Sequence, residues 1–166
     1  MSTTPFPTGG DKRTTRPLEL VHSDIMDLGN AHPSLRYVLT LKDDYTNYLW
    51  VAPLARRSDM AAVFLTWHRE MKTKLPTKPL AALRTDNGGE YTANAFTDYL
   101  SCHGIVHQTS LPHTPQQNGV PVEPEVKRYG SVLLSTVQTS GSVAAVGVHQ
   151  PHQQELAVVH RFTPHS

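Results

Sequence analysis

The sequence predicts a mixed α/β sheet of about five strands, and three observations support this fold class. Apolar and polar residues alternate near the N-terminus, two β-rich runs flank a polar turn, and two later apolar runs are separated by a helical pattern. Strands that feed helices and return imply a parallel portion, whereas the hairpin supplies an antiparallel pair. The 166 residues, of which 38% are hydrophobic and 17% charged, suffice for one globular domain with a buried core.

The N-terminal third of the chain predicts a lead-in, a strand and a hairpin. Residues 1–16 are rich in Thr, Pro and Gly and are expected to be flexible. The stretch 18–28 (LELVHSDIMDL) alternates apolar and polar residues, as a strand does. In 36–54, two β-rich runs surround Asp-Asp-Tyr-Thr-Asn, which predicts two antiparallel strands joined by a turn.

The middle of the chain predicts alternating helices and strands. Ser58 and Asp59 can cap a helix over about 59–73, where apolar residues recur at helical spacing, and Pro76 and Pro79 end it. There follow a short buried strand (79–85), a loop (DNGGEY), a helix over about 92–102 and a strand over 104–110.

The sequence changes character after Val120. It mixes Val, Ser, Gly and Gln with no sustained helical or strand period, and 131–137 can be interpreted as a strand or as a frayed helix. Three parts are therefore predicted: the lead-in 1–16, a core domain 17–120, and a divergent, poorly ordered tail 121–166.

Charge and cysteine content exclude some classes of function. The formal charge of +1, from 15 Lys and Arg against 14 Asp and Glu, neither requires nor excludes a nucleic-acid partner. Cys102 is the only cysteine, so no intrachain disulfide and no zinc site with paired cysteines is expected. The N-terminus lacks the apolar stretch of a signal peptide, and no apolar run approaches transmembrane length. An intracellular protein without a membrane partner is expected.

Two aspartates stand in contexts that suggest a metal site. Asp24 lies inside the first apolar strand, and Asp86 follows the buried strand 79–85. If these strands are parallel neighbours, both carboxylates meet at one edge of the sheet, where they repel unless a cation lies between them. Oxygen ligands suit Mg²⁺ or Mn²⁺, which can activate water or a DNA 3′-hydroxyl for attack on a phosphodiester. The alternative is that each aspartate simply caps or turns the chain.

Four segments occur in an order that resembles one family. RPLELVHSD, LKDDYTNYLWV, RTDNGGEY and HTPQQNGV are together similar to the integrase catalytic core of copia-type long-terminal-repeat retrotransposons, over residues 5–120. The resemblance implies a ribonuclease H-like fold with a mixed sheet of about five strands and helices on both faces. It also implies a D,D(35)E triad that holds two divalent metals and joins element DNA ends to target DNA. Homo-oligomers and a nuclear location are typical of active members.

The resemblance assigns roles to individual residues. Asp24 resembles the first acid and Asp86 the second, so both are expected metal ligands and catalytic residues. Glu90 matches a position near bound DNA. The mobile loop before the third catalytic helix is matched by Gln116, Gln117, Asn118 and Gly119, whose amides suit contact with nucleic acid. A helix-capping turn with Asn118 as the cap is the alternative for this loop.

The third acid of the triad departs from the family pattern. It is expected at position 122, where Val122 stands, and Glu123 follows one place late. On a helix, one residue rotates the side chain by roughly 100° away from the metals. Pro121 and Pro124 disfavour the helix, and the basic continuation is reduced to Lys127 and Arg128.

These departures predict a degenerate, inactive fragment, truncated ahead of the core and continued after Val120 by unrelated sequence. Two other functions remain open. One is a non-enzymatic nucleic-acid-binding relic that uses Lys72, Lys74, Lys78 and Arg84. The other is a ribonuclease H-type nuclease.

Overall fold

The computed structural model describes residues 14–30, 36–109, 144–149 and 156–161, the last two ranges by their backbone alone. In chain order the elements are β1 (Leu20–Asp27), β2 (Tyr37–Asp43), β3 (Leu49–Leu54), a 3-10 turn (Arg57–Asp59), α1 (Met60–Lys74), β4 (Ala82–Thr85), α2 (Gly89–Thr92), α3 (Asn94–Cys102), β5 (Val106–Thr109), β6 (Ala144–His149) and β7 (Leu156–Arg161). Within these ranges, no helix is both long and apolar enough to cross a lipid bilayer.

The strands form one mixed sheet in the order β5-β4-β1-β2-β3-β6-β7. The first three strands are antiparallel neighbours, while β4 lies parallel to β1 and β5 lies parallel to β4. The predicted hairpin and the predicted parallel portion are both confirmed. Because β1 and β4 run in the same direction, their carboxyl ends meet at the same edge of the sheet.

Two strands extend the sheet beyond the five that the sequence predicts. β6 pairs antiparallel with β3, with Val146 opposite Val51, and β7 pairs antiparallel with β6. Both segments are short and rich in small or β-branched residues, and pairing with a neighbouring strand rather than a repeating sequence pattern defines them. The described sheet therefore has seven strands. The segment 131–137, interpreted as a strand or a frayed helix, lies outside the described residues.

The core lies between one face of the sheet and the helices. Along β1, Val21, Ser23 and Ile25 are buried and alternate with more exposed residues, as expected for a strand with one face on the core. The helix α1 contributes buried apolar side chains at helical spacing: Met60, Phe64, Trp67 and Met71. All three described helices contribute to this single core cluster. The placement of helices on both faces of the sheet stays a prediction.

Local chemistry explains the element boundaries. Asp43 is 1% exposed and organises the β2–β3 turn, because its Oδ2 accepts hydrogen bonds from the Thr46 amide (2.8 Å) and the Thr46 hydroxyl (2.6 Å). Its Oδ1 accepts from the Leu18 amide at 2.8 Å, which ties the turn to the entry of β1. The prediction of a loop throughout DNGGEY was wrong for its second half. Helix α2 begins at Gly89, because the Gly88 carbonyl accepts hydrogen bonds from the amides of Tyr91 and Thr92.

Candidate metal and nucleic-acid site

The parallel strands β1 and β4 bring Asp24 and Asp86 to one edge of the sheet. Their register pairs Val21 with Leu83 and His22 with Arg84. Continued by two residues, this register sets Asp24 opposite Asp86, which stands directly after the end of β4. The two aspartates singled out in the sequence therefore lie side by side, with Asp86 just beyond the end of β4 and Asp24 within β1, two residues past its last pair with β4. Asp24, Asp86 and the adjoining Glu90 together form the acidic edge of the sheet.

The charges at the acidic edge repel one another. Burial by the surrounding protein atoms raises the pKa of Asp24, and the negative charge of Asp86 raises it further. The Ile25 amide, which donates to Asp24 Oδ1 at 2.8 Å, and the positive charge of Arg57 act in the opposite direction without cancelling the rise. A raised pKa means that the ionised carboxylate is less stable here than in water. A bound cation would relieve this cost.

The Asp86 side chain is fixed by the turn that follows it. The Gly88 amide donates a hydrogen bond to Asp86 Oδ1 at 2.9 Å. A Cβ atom added at Gly88 would lie only 2.9 Å from that same oxygen and 3.0 Å from Glu90 Oε2. A side chain at position 88 would therefore displace the ends of two carboxylate side chains. At Gly89 a Cβ atom would meet nothing within 4 Å.

These two glycines provide a matched pair of substitutions. We expect Gly88→Ala to lower the free energy of unfolding by about 1 kcal/mol, because the new methyl group displaces the Asp86 carboxylate from its hydrogen bond with the residue 88 amide. Gly89→Ala should change it by no more than about 0.5 kcal/mol or be stabilising. Urea denaturation followed by circular dichroism measures both. Equal losses in the two variants would contradict the close approach at Gly88.

Glu90 forms an ion pair with Arg57, a residue that no sequence motif singles out. Arg57 Nε donates to Glu90 Oε1 at 2.6 Å, which links the 3-10 turn to α2. This bond holds the pKa of Glu90 below its ordinary value. Arg57 has no distinguishing sequence signal, since it follows Arg56 and its partner lies far along the chain.

Two buried hydroxyl groups lie beneath the acidic edge. The Ser23 and Tyr91 hydroxyls share a hydrogen bond of 2.8 Å, and these residues are 5% and 1% exposed. Burial raises the pKa of Tyr91, and the charges of Asp24, Asp86 and Glu90 raise it further, so the phenol stays neutral. The bond ties β1 to α2 and fixes the base of the site. In the sequence, Ser23 precedes Asp24 and Tyr91 follows Glu90. This adjacency to predicted site residues was the only sequence signal for a role of the two hydroxyls.

The donor set of the acidic edge fits a hard divalent cation. Two carboxylates supply oxygen ligands, as Mg²⁺ and Mn²⁺ prefer. Within the described residues, no group of three His, Cys, Asp or Glu side chains forms a ready-made metal site. The remaining predicted site residues, namely Gln116, Gln117, Asn118, Gly119 and Glu123, lie outside the described residues, as does Val122.

Other side chains are accounted for by structure rather than by the site. His22 Nε2 and Asp44 Oδ1 lie 3.0 Å apart on the β1–β2 pair, in agreement with a packed strand histidine. Two of the basic residues proposed for a binding relic are engaged within the protein. Lys72 and Lys74 lie in the last turn of α1, and Lys74 pairs with Glu70. Arg84, on β4, donates two hydrogen bonds to Gln108.

The fold is ribonuclease H-like, and comparison with a solved structure supports this class. The chain is similar to a chain in the cryo-EM structure of the simian T-cell lymphotropic virus intasome in complex with PP2A regulatory subunit B56 gamma. The TM-score is 0.59 at 18% sequence identity, and the match covers 78% of this chain and 45% of that chain.

Sequence comparison then gives the family. The family model of the integrase core domain matches residues 14–115, and the chain belongs to that family. It is 37% identical over 108 residues to the retrovirus-related Pol polyprotein from transposon RE1 of Arabidopsis thaliana, covering 64% of this chain and 7% of the relative. It is 40% identical over 106 residues to that from transposon TNT 1-94 of Nicotiana tabacum, covering 62% and 8%. The chain thus spans less than a tenth of these relatives.

Proposed function

We propose that this chain is a degenerate, catalytically inactive integrase core of a copia-type retrotransposon, which binds DNA and a divalent cation at Asp24 and Asp86. One observation carries the proposal: the parallel β1–β4 pair sets these two carboxylates side by side at an edge of the sheet. The partners proposed are element DNA ends and target DNA, with a second copy of the chain as in an intasome.

The residues of the site suit work on a phosphodiester. Asp24 and Asp86 would hold Mg²⁺ or Mn²⁺, which supplies charge neutralisation and a more acidic bound water when it is present. The Gly88 amide fixes the Asp86 carboxylate, and the Ser23–Tyr91 bond keeps the base of the site rigid and uncharged. Glu90 and the stretch Gln116–Gly119 are proposed to contribute to nucleic-acid binding.

Cation binding provides the direct test. In a titration with Mn²⁺, with free ion followed by electron paramagnetic resonance, Asp24→Asn and Asp86→Asn should each weaken binding at least about tenfold. That loss corresponds to roughly 1.4 kcal/mol of affinity. Asp98→Asn removes the same charge from an exposed position on α3 and should bind Mn²⁺ as the wild type does. Wild-type affinity in Asp24→Asn would refute the proposed site.

A second candidate is a non-enzymatic nucleic-acid-binding relic. The observation that favours it is Val122, which stands where the third acid of the family is expected. DNA binding would then persist in the Asp24→Asn, Asp86→Asn double variant, and its affinity would fall with rising salt. Loss of all DNA binding in that double variant would argue against the relic.

A further inference from the structure

The guanidinium of Arg57 lies beside the acidic edge, in a position set by two neighbours. Glu90 accepts its Nε–H bond at 2.6 Å, and the ring of Tyr37 faces its Cζ atom at 5.6 Å. A planar group held at one nitrogen and stacked on a ring has little rotational freedom. Arg57 is therefore fixed rather than freely mobile at the surface.

Two donor nitrogens of Arg57 remain for a ligand. The ion pair uses Nε, and neither terminal nitrogen makes a hydrogen bond within the described part of the chain. The side chain is 39% exposed, so these terminal amino groups can be reached from solvent. A guanidinium presents such nitrogens as a fork that matches two oxygens of a phosphate.

The surrounding negative charge favours a cationic side chain as a phosphate contact at this place. A DNA backbone approaching Asp24 and Asp86 meets two carboxylates of the same sign, and a cation at the edge must offset that repulsion. The charge of Arg57 already acts on Asp24. The predicted basic residues of α1 cannot serve, because Lys72 and Lys74 stand at the far end of a helix about 20 Å long.

We propose that Arg57 binds a backbone phosphate of DNA beside the Asp24–Asp86 edge, with Glu90 and Tyr37 as positioning residues for its guanidinium. This inference rests on the proposed function, since it takes nucleic acid as the ligand. It also gives Glu90 an indirect part in binding. The Glu90 carboxylate by itself repels phosphate. Because it accepts a hydrogen bond from Arg57 Nε at 2.6 Å, Glu90 acts on DNA by holding the Arg57 guanidinium in place.

The test measures affinity for a fluorescein-labelled DNA duplex by anisotropy, in EDTA and at several NaCl concentrations. Arg57→Gln should weaken binding roughly five- to tenfold and reduce the slope of log affinity against log salt by about 1. Arg56→Gln is the matched control, because Arg56 is the adjacent residue, is 79% exposed and pairs with Asp59. It removes the same charge and should change affinity less than about twofold.

The Glu90→Gln variant distinguishes a role of Glu90 in positioning Arg57 from a direct effect of its negative charge on DNA. Removal of a negative charge near DNA should by itself strengthen binding, whereas release of a positioned Arg57 should weaken it about two- to fivefold. Arg57→Lys, which keeps the charge without the fork, should also bind more weakly than the wild type. Thermal unfolding of each variant shows whether it is folded at the assay temperature. If Arg57→Gln is unfolded, the affinities of Arg57→Lys and Glu90→Gln provide the test.

Each outcome has a distinct meaning. Equal losses of DNA affinity in Arg57→Gln and Arg56→Gln, or tighter DNA binding by Glu90→Gln, would overturn the proposed role of Arg57. The proposal that the protein binds DNA would still stand. Failure of the wild type to bind the duplex even at low salt would instead overturn the proposed function, and the inference with it.

Discussion

Purified protein with Mg²⁺ or Mn²⁺ is expected to join no donor DNA ends to target DNA. The two aspartates can hold a cation, but the family pattern places its third acid at position 122, where valine stands. Two-metal sites stabilise both the attacking and the leaving oxygen, and their contribution amounts to several kcal/mol of transition-state stabilisation. Loss of the third ligand should therefore reduce strand transfer at least about a thousandfold relative to a core with all three acids.

Three variants make this strand-transfer assay decisive. If Glu123 takes the place of the missing acid, the wild type will join ends and Glu123→Gln will not. If Val122 is the cause of inactivity, Val122→Glu is the substitution that can restore joining. Joining by the wild type that disappears in Asp86→Asn would show that the protein is an intact enzyme and that the prediction is wrong.

Replacement of Phe64 by alanine is expected to have the largest effect on stability. The Phe64 side chain is fully buried on α1, where it links that helix to α3. Its ring centroid lies 5.1 Å from that of Phe96 and 5.5 Å from that of Trp67. Phe64→Ala leaves a cavity at this junction and should cost about 3–5 kcal/mol, a large part of the total stability of a domain of this size.

Urea unfolding at a fixed temperature measures this loss. The control is Thr66→Ala, which lies two residues further along the same helix at an exposed position. Among the described residues its hydroxyl bonds only to the Ala62 carbonyl in the preceding turn, so the change should stay within about 0.5 kcal/mol. A Phe64→Ala loss as small as that of the control would mean that α1 and α3 do not share the core described above.

The pairing of Asp24 with Asp86 could be predicted because it follows from strand direction. Asp24 stands within one apolar run and Asp86 directly after another, and parallel pairing of the two runs brings both acids to the same part of the sheet. The roles of Arg57 and Gly88 could not be predicted in this way. In the sequence Arg57 resembles Arg56, and only the folded chain brings it to Glu90. The close approach of two carboxylates to the backbone at Gly88 likewise exists only in the folded chain.

The two added strands show a different limit of sequence interpretation. Short segments such as β6 and β7 gain strand conformation from a partner rather than from their own period. The hairpin of β2 and β3 was predictable because both strands and their turn lie within one stretch of sequence. Helix α2 was missed because its four residues follow Asn and Gly, which usually indicate a loop.

The parallel pairing of β1 with β4 has a consequence for the order in which the chain assembles. Leu41 pairs with Trp50 across a short hairpin, so the two residues are close in sequence. Val21 pairs with Leu83, and the whole of β2, β3 and α1 lies between them in the chain. Contacts of such high sequence separation carry a larger loop-closure entropy and depend on the segments between them. The two aspartates are thus brought together by the intervening structure as a whole. Damage to the packing of α1 would separate them without touching either carboxylate.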